Sequence, residues 1–597
     1  MATSVPPFTT HEPITSVRSR RILFAFLVVA TMAGLATAMA TLLSVNGWNL
    51  PKIAMFAGFL VSLPWTVIGF WNALIGLMLT WLAGDPAALV NPCLRRARPA
   101  DALQGRTALA ICVRHENAVM VERRIAIMRA SLDAAGAGSH FDFFLLSDSS
   151  RPEIIAAEEA AIARLRDSDS RPDRLIYRRR QSNAGFKAGN VREFLDQWAD
   201  DYDYFIPLDA DSLMTGPAMV RLVQIMQANP SLGILQSLVV GLPSTNFFTR
   251  LFQFGMRHGM RSYTMGSAWW QGDCGPFWGH NAIIRSRLFR DHCGLPVLPG
   301  KPPLGGYILS HDQVEAVLMR RAGYDVRVLV EESGSFEENP PSLPDFIKRD
   351  LRWCQGNMQY WWLLGMRGLR FLSRIQLSLA ILMYLAAPGW IMFILAGTAQ
   401  LFVPYGPESP PEGLGIALFL TLLLMGLAPK IAGLADVIAD RERYASYGHG
   451  RIFAGAWVEF AFSTLLAPCM SLIETVFMIG LLFGRQVKWE VQNRDAAGLT
   501  WKQAVQGLWL QTLFGIGLAV LLAIRAPAIL PWASPLILAT AGAVPFAMFM
   551  ASPALGVWAT RMGLCAIPEE RITPWEVAAL TQVAAMPVAA GPLPARA

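Results

Sequence analysis

Two long apolar runs near the start of the chain and five more after residue 374 leave little freedom in its architecture. They cover about 22–44 and 53–83, then about 375–403, 413–438, 452–485, 507–525 and 529–552. A helix crosses the hydrocarbon core of a bilayer with about 20 apolar residues. Residues 86–374 contain no such run and have ordinary globular composition. The overall figures, 53% hydrophobic, 16% charged and mean hydropathy +0.36, are therefore an average over two unlike regions. One soluble-type domain inserted into a polytopic helical membrane protein is the expected architecture.

Charge sets the expected orientation. Arg18, Arg20 and Arg21 precede the first run, and Arg95, Arg96, Arg98 and Arg106 follow the second. Basic flanks stay in the cytoplasm, so 22–85 reads as a transmembrane hairpin with both ends inside. No cleavage site follows the first run, which reads as a retained span. The polar, Pro-containing residues 1–21 are expected to be a disordered cytoplasmic N-terminus. The loop 404–412 has two Glu and no Lys or Arg and fits the outside, whereas 439–451 and 486–506 are basic and fit the inside. With 34 residues and Pro468 at its middle, 452–485 is expected to be a tight hairpin or re-entrant element. The prediction is about eight passes within 22–85 and 375–560, a cytoplasmic loop at 486–506 and a cytoplasmic tail at 561–597, with seven passes as the alternative. The net charge of +7 follows these lipid-flanking residues and does not indicate nucleic acid. Seven scattered Cys form no metal spacing and suggest a reduced compartment.

Within 86–345, apolar strand-like runs (108–113, 141–146, 175–177) alternate with helical patterns up to Tyr204-Phe205-Ile206-Pro207-Leu208-Asp209-Ala210-Asp211. This β-α-β-α order predicts a mainly parallel, right-handed wound sheet. Asp148, Asp209 and Asp211 would then stand at carboxyl ends of strands, where α/β sheets bind ligands. Two carboxylates at i, i+2 suit a hard cation carrying a diphosphate, and equally suit a solvated turn. Lys187, near Gly185 and Gly189, suits an anion at a helix start or an ordinary surface lysine. Asp312 in Ser310-His311-Asp312 suits a general base or a helix cap. Arg349-Asp350-Leu351-Arg352-Trp353 opens an amphipathic interfacial segment, 346–374, with aromatic faces suited to a sugar ring.

Taken in order, Asp148, Lys187, Asp209-x-Asp211, Asp312 and Arg349-x-x-Arg352-Trp353 resemble the motifs of the processive, inverting family 2 glycosyltransferases, the group of cellulose, chitin and hyaluronan synthases. His115-Glu116-Asn117, Gly279-His280-Asn281 and Arg352-Trp353-Cys354-Gln355-Gly356-Asn357 narrow the resemblance to the glucosyltransferases of osmoregulated periplasmic glucan synthesis. The acid motif here reads Ser-His-Asp, and the last motif begins with Arg rather than Gln.

The resemblance implies a cytoplasmic GT-A domain at the bacterial inner membrane, and a hexosyltransferase making a β-1,2-linked glucose backbone from UDP-glucose and passing it outward. It implies nucleotide binding by Glu116, Asp148, Lys187 and Asp209, with Mg²⁺ (or Mn²⁺) on Asp209 and Asp211. Asp312 would be the base, and Arg349, Arg352, Trp353 and His280 would hold acceptor or diphosphate. Trp489 and Arg494 are candidate gating residues or simply part of a basic lipid-facing loop. Implied partners are a glucan acceptor, the lipid bilayer, an acyl carrier protein and a periplasmic glucan-modifying protein. The residues alone leave open another β-linked polymer such as cellulose or chitin, a lipid-linked sugar transferase, or a transporter or scaffold with an inactive domain.

Overall fold

A computed structural model describes residues 14–169, 171–332, 334–404, 406–487 and 498–584. The two N-terminal runs form helices α1 (Ile14–Ser44) and α2 (Leu50–Leu82). A seven-stranded sheet follows, in the order β3-β2-β1-β4-β8-β6-β9. Its strands are β1 (Thr107–Val113), β2 (Phe141–Ser147), β3 (Leu175–Arg179), β4 (Tyr204–Asp209), β6 (Leu232–Gln236), β8 (Ala282–Arg285) and β9 (Asp325–Val328). Only β8 runs antiparallel to its neighbours β4 and β6. β1, β2 and β4 are buried almost throughout, because apolar clusters cover both sheet faces. A small second sheet joins β5 (Leu213–Met214), β10 (Ser335–Glu337) and β7 (Val240–Gly241).

The helices that frame the site are α3 (Ala118–Ala134), α4 (Phe186–Trp198), α5 (Phe247–Gln271), α6 (Asp312–Arg321) and α7 (Leu343–Gln359). α5 fastens the α/β domain to the apolar helices. A Cβ on Gly76 of α2 would lie 1.7 Å from the Ser262 carbonyl oxygen, and one on Gly266 would lie 1.9 Å from that of Asn72. Only glycine permits these two backbones to approach so closely, a packing device common among membrane helices.

The C-terminal apolar runs form α8 (Phe371–Gln400), α9 (Leu414–Ala439), α10 (Arg451–Leu482) and α11 (Trp501–Arg525), followed by the bent pair Pro527–Ala541 and Ala543–Met550. Among the described residues, six helices are long and apolar enough to cross a membrane, or seven if the bent pair counts as one. The expected count of about eight is therefore corrected downward. It rested on a hairpin at Pro468, and α10 instead runs unbroken through that proline. Helices packed in a membrane tolerate such a proline, because neighbouring groups and local adjustments satisfy the freed backbone carbonyl. After Pro568–Glu570, a last helix, α12 (Trp575–Ala584), packs on α3. Val577 and Leu580 enter the α/β core, and buried Glu576 accepts a hydrogen bond from Ser131 Oγ at 2.6 Å.

Candidate active site

β1, β2 and β4 end side by side: Cys112 pairs with Asp209 and Val113 with Ser147, and the Asp148 N–H donates to the Val113 carbonyl at 2.9 Å. A cleft of about 530 Å³ opens at this edge. Glu116, Asp148, Lys187, Asp209, Asp211, His280, Asp312, Arg349, Arg352 and Trp353 all line it. These are all the predicted site residues that fall among the described ones. Trp489 and Arg494 lie outside the described residues, although their near neighbours Gln486 and Val487 reach the cleft wall.

The turn after β4 is held from both sides. The Asp209 N–H donates to Ser212 Oγ at 3.1 Å, and buried Arg124 of α3 donates to the Ala210 carbonyl at 3.1 Å while pairing with Glu338. Lys187 Nζ pairs with Asp209 Oδ1 and donates to the Gly279 carbonyl at 2.8 Å. Burial works against the Lys187 ammonium, yet the Asp209 carboxylate keeps its pKa above the ordinary lysine value. Among the described residues no three His, Cys, Asp or Glu groups converge to hold a metal. Asp209, 39% exposed at its side chain, and the adjacent Asp211 offer two oxygen donors to the open cleft. That set fits a Mg²⁺- or Mn²⁺-type ion whose remaining positions are filled by ligand or water oxygens.

Asp148 does not stand alone. Arg180 at the end of β3 pairs with it through Nε and also through Nη2, at 2.9 Å from Oδ2. The same guanidinium donates to the Ala184 and Phe186 carbonyls at 2.9 and 2.5 Å, and so shapes the loop that presents Lys187. Sequence reasoning missed Arg180. The only signal was a third arginine after Tyr177, indistinguishable from the two that turn elsewhere.

Asp312 is the first residue of α6, and the preceding His311 occupies the cap position without a side-chain cap bond. The Asp312 carboxylate therefore does not cap the helix. It lines the cleft and accepts a hydrogen bond from Ser310 Oγ at 3.0 Å. Beside it, His311 Nδ1 lies 2.8 Å from Glu315 Oε2. Burial opposes the imidazolium, but Glu315 raises the His311 pKa.

α7 carries the last motif, and its amphipathic pattern explains why. Ser342 caps it, Pro344 sits in its first turn, and Leu343, Cys354 and Gln355 turn inward. Arg349 stacks its guanidinium over Trp353 at 4.8 Å, and Trp353 remains 46% exposed. Asp350 points the other way, accepting from Tyr384 of α8 at 3.3 Å, and burial raises its carboxyl above the ordinary aspartate range. Residues after the tryptophan, whose purpose was not legible, prove to be joints. Gln355 donates to the Pro303 carbonyl at 3.2 Å and accepts from the Val487 N–H at 2.9 Å. Gln359 accepts from the Leu309 N–H at 2.9 Å, and the Tyr360 hydroxyl donates to the Ser310 carbonyl at 2.8 Å.

Comparison with known proteins agrees with this geometry. Models of "Glycosyl transferase family 2" and "Glycosyl transferase family group 2" match residues 110–293 and 204–428. Proteins named glucans biosynthesis glucosyltransferase H are similar over most of the chain. The one from Bradyrhizobium diazoefficiens is 38% identical over 80% of this chain and 65% of its own length. The one from Xanthomonas campestris pv. campestris (strain B100) is 35% identical over 81% and 77%, and that from Xylella fastidiosa 34% over 91% and 88%. The chain belongs to the glucans biosynthesis glucosyltransferase H family. Its α/β unit is accordingly a family 2 glycosyltransferase domain of GT-A type, flanked by membrane helices. The match spans about two thirds of the length of the Bradyrhizobium relative.

Proposed function

We propose that the protein is an inverting glucosyltransferase that moves glucose from UDP-glucose onto a growing β-1,2-linked glucan at the cytoplasmic face of the inner membrane and passes the chain to the periplasm. One observation carries this reading: residues from seven separate stretches of sequence, each assigned a role in the same reaction, line one cleft.

The chemistry assigned to them is consistent. Glu116, Asp148 and Lys187 border the nucleotide side. A divalent cation on Asp209 and Asp211 would neutralise the diphosphate as it leaves. Asp312 takes the proton of the acceptor hydroxyl while that oxygen forms its bond to the anomeric carbon and the bond to UDP breaks on the opposite face. Arg349 and Arg352 bring positive charge, and the Trp353 ring offers a platform for the acceptor sugar. A retaining reaction would call for a second nucleophile, and single-displacement inversion does not.

The fold supports the orientation. α12 packs on α3, so the chain must cross the membrane an even number of times between the α/β domain and α12. Five candidate crossings lie between them (α8, α9, α10, α11 and the bent pair), so one does not cross. Two elements suit that role: the bent pair, kinked by 63°, and α10, whose Gly455 packs on Phe254 of α5 and beyond whose end Val487 bonds Gln355 of α7. Six crossings, with the start of α1 and all of α12 on the side of the α/β domain, then satisfy the basic flanks.

The test is incorporation of labelled glucose from UDP-glucose by purified protein, with linkage analysis of the product. β-1,2-Glucan is expected, and Asp312→Asn should abolish it. Wild-type-like polymer formation by that variant overturns the base assignment, and a different linkage overturns the product. Glucan found only on the nucleotide side of sealed vesicles overturns export.

A further inference from the structure

Glu337, the last residue of β10, lines the cleft and has no role in the reading above. Its carboxylate lies 3.4 Å from His280 Nε2, and Arg349 and Asp211 act on it electrostatically. The fold goes to some length to place this pair. His280 sits between Gly279 at φ +83° and Asn281 at φ +51°, and the left-handed region is strained for Asn281. Asn281 is fully buried; its Nδ2 donates to Ser335 Oγ at 2.9 Å and to the Phe336 carbonyl at 3.3 Å. That leaves Asn281 Oδ1, 3.2 Å from His280 Nδ1, to accept the imidazole proton. Gln236, also fully buried, donates to the His280 carbonyl at 3.0 Å and accepts from the Trp278 N–H at 2.8 Å. Ser237 Oγ donates to the Asn281 carbonyl at 2.5 Å and lies 2.9 Å from Ser335 Oγ.

Four buried polar side chains thus tie the His280 loop to the strand bearing Glu337. Buried polar groups are costly unless fully satisfied, and a satisfied network chiefly fixes orientation. What it orients is one imidazole and one carboxylate facing the cleft near the Arg349–Trp353 stack. The nature of the occupant follows from charge. A carboxylate repels a phosphate unless a cation bridges the two, and no three-residue metal cluster includes Glu337 among the described residues. A neutral polyol gains from it, because a carboxylate accepts hydrogen bonds from adjacent hydroxyls while the imidazole and guanidinium complete the set.

The geometry points to Glu337 and His280 as the pair that grips the non-reacting hydroxyls of the terminal acceptor sugar and so selects which hydroxyl meets Asp312. This rests on the proposed glucosyl transfer and deepens it: the pair belongs to the acceptor subsite and sets linkage.

The experiment uses full-length protein in detergent with UDP-glucose and a short gluco-oligosaccharide acceptor, comparing wild type, Glu337→Gln and Glu337→Ala. Loss of one or two charge-assisted hydrogen bonds raises the acceptor KM about tenfold or more. The donor KM should stay unchanged, with more UDP-glucose hydrolysed per transfer and a mixture of linkages in the product. Glu337→Gln keeps the shape of the side chain, so it reports on the subsite even where the alanine variant fails to fold. Unchanged acceptor KM and a single linkage in Glu337→Gln overturn the subsite, and so does a rise confined to the donor KM. If wild-type protein transfers no glucose from UDP-glucose, the underlying reading falls and the subsite with it. An active wild type with indifferent variants removes the subsite alone.

Discussion

Gly356, three residues after Trp353, lies directly against Ser310, two residues before Asp312: a Cβ there would come within 2.6 Å of both the Ser310 backbone nitrogen and its Cβ. The helix that carries the acceptor motif is therefore the wall against which the proposed base is set. Gly356→Ala must push Ser310 and the hydrogen bond it gives Asp312 out of place. Displacement of about 1 Å at a reacting group costs on the order of 100-fold in rate. We expect kcat to fall by roughly that factor with the UDP-glucose KM little changed, as read by continuous UDP release.

Lys187 pairs with the Asp209 carboxylate that would also hold a divalent ion, so the lysine and the ion would share that group. Chelation should abolish UDP-glucose binding measured by calorimetry, and Mg²⁺ or Mn²⁺ should restore it. Asp209→Asn and Asp211→Asn should remain unresponsive to either metal. Lys187→Met should bind metal at least as tightly as wild type but UDP-glucose more weakly, because the cation that would face the nucleotide is gone.

Arg180→Lys tests whether Asp148 needs its bidentate partner. Lysine supplies charge but cannot reach both carboxylate oxygens and the Ala184 and Phe186 carbonyls together. Breaking a buried ion pair costs about 3–5 kcal/mol, and a substitute charge recovers only part of it. A lowered unfolding midpoint is expected, together with a raised donor KM, since the same loop carries Lys187.

His258 of α5 gives the protein an acid-sensitive point away from the cleft. It is 1% exposed, and among the described residues neither ring nitrogen has a hydrogen-bond partner. Burial, then the Lys430 and Arg443 cations, push its pKa down to about 4. A histidine depressed in the folded state contributes stability above its unfolded pKa of about 6.5, and that contribution is lost as pH falls toward 4. The shift corresponds to at most about 3 kcal/mol. Acidification from pH 7.5 to 4.5 should lower the unfolding midpoint of wild type by more than that of His258→Phe, so the difference between the two should change with pH. A constant gap between them would contradict this assignment.

Much of the site was legible in the chain because its chemistry is carried by charged and aromatic residues at short fixed spacings. Asp209-x-Asp211 after an apolar run and Arg349-x-x-Arg352-Trp353 each announce a strand end or a helix face. The partners that hold those residues were not legible. Arg180, Arg124 and Glu337 act across 32, 86 and 57 residues of sequence respectively, on Asp148, Ala210 and His280. Pairs that far apart leave no local periodicity.

Hydrophobic patterning by itself determined that an α/β domain is inserted among membrane helices, because apolar length and alternation are local properties that the solvent reads directly. Only the tertiary structure decided that α10 runs through Pro468, that the chain returns through α12 to the domain it left, and which charged groups meet in the cleft. A proline breaks a helix in water, but membrane helices tolerate its missing hydrogen bond. Ion pairs likewise depend on how the chain closes on itself, a property no single stretch of it contains.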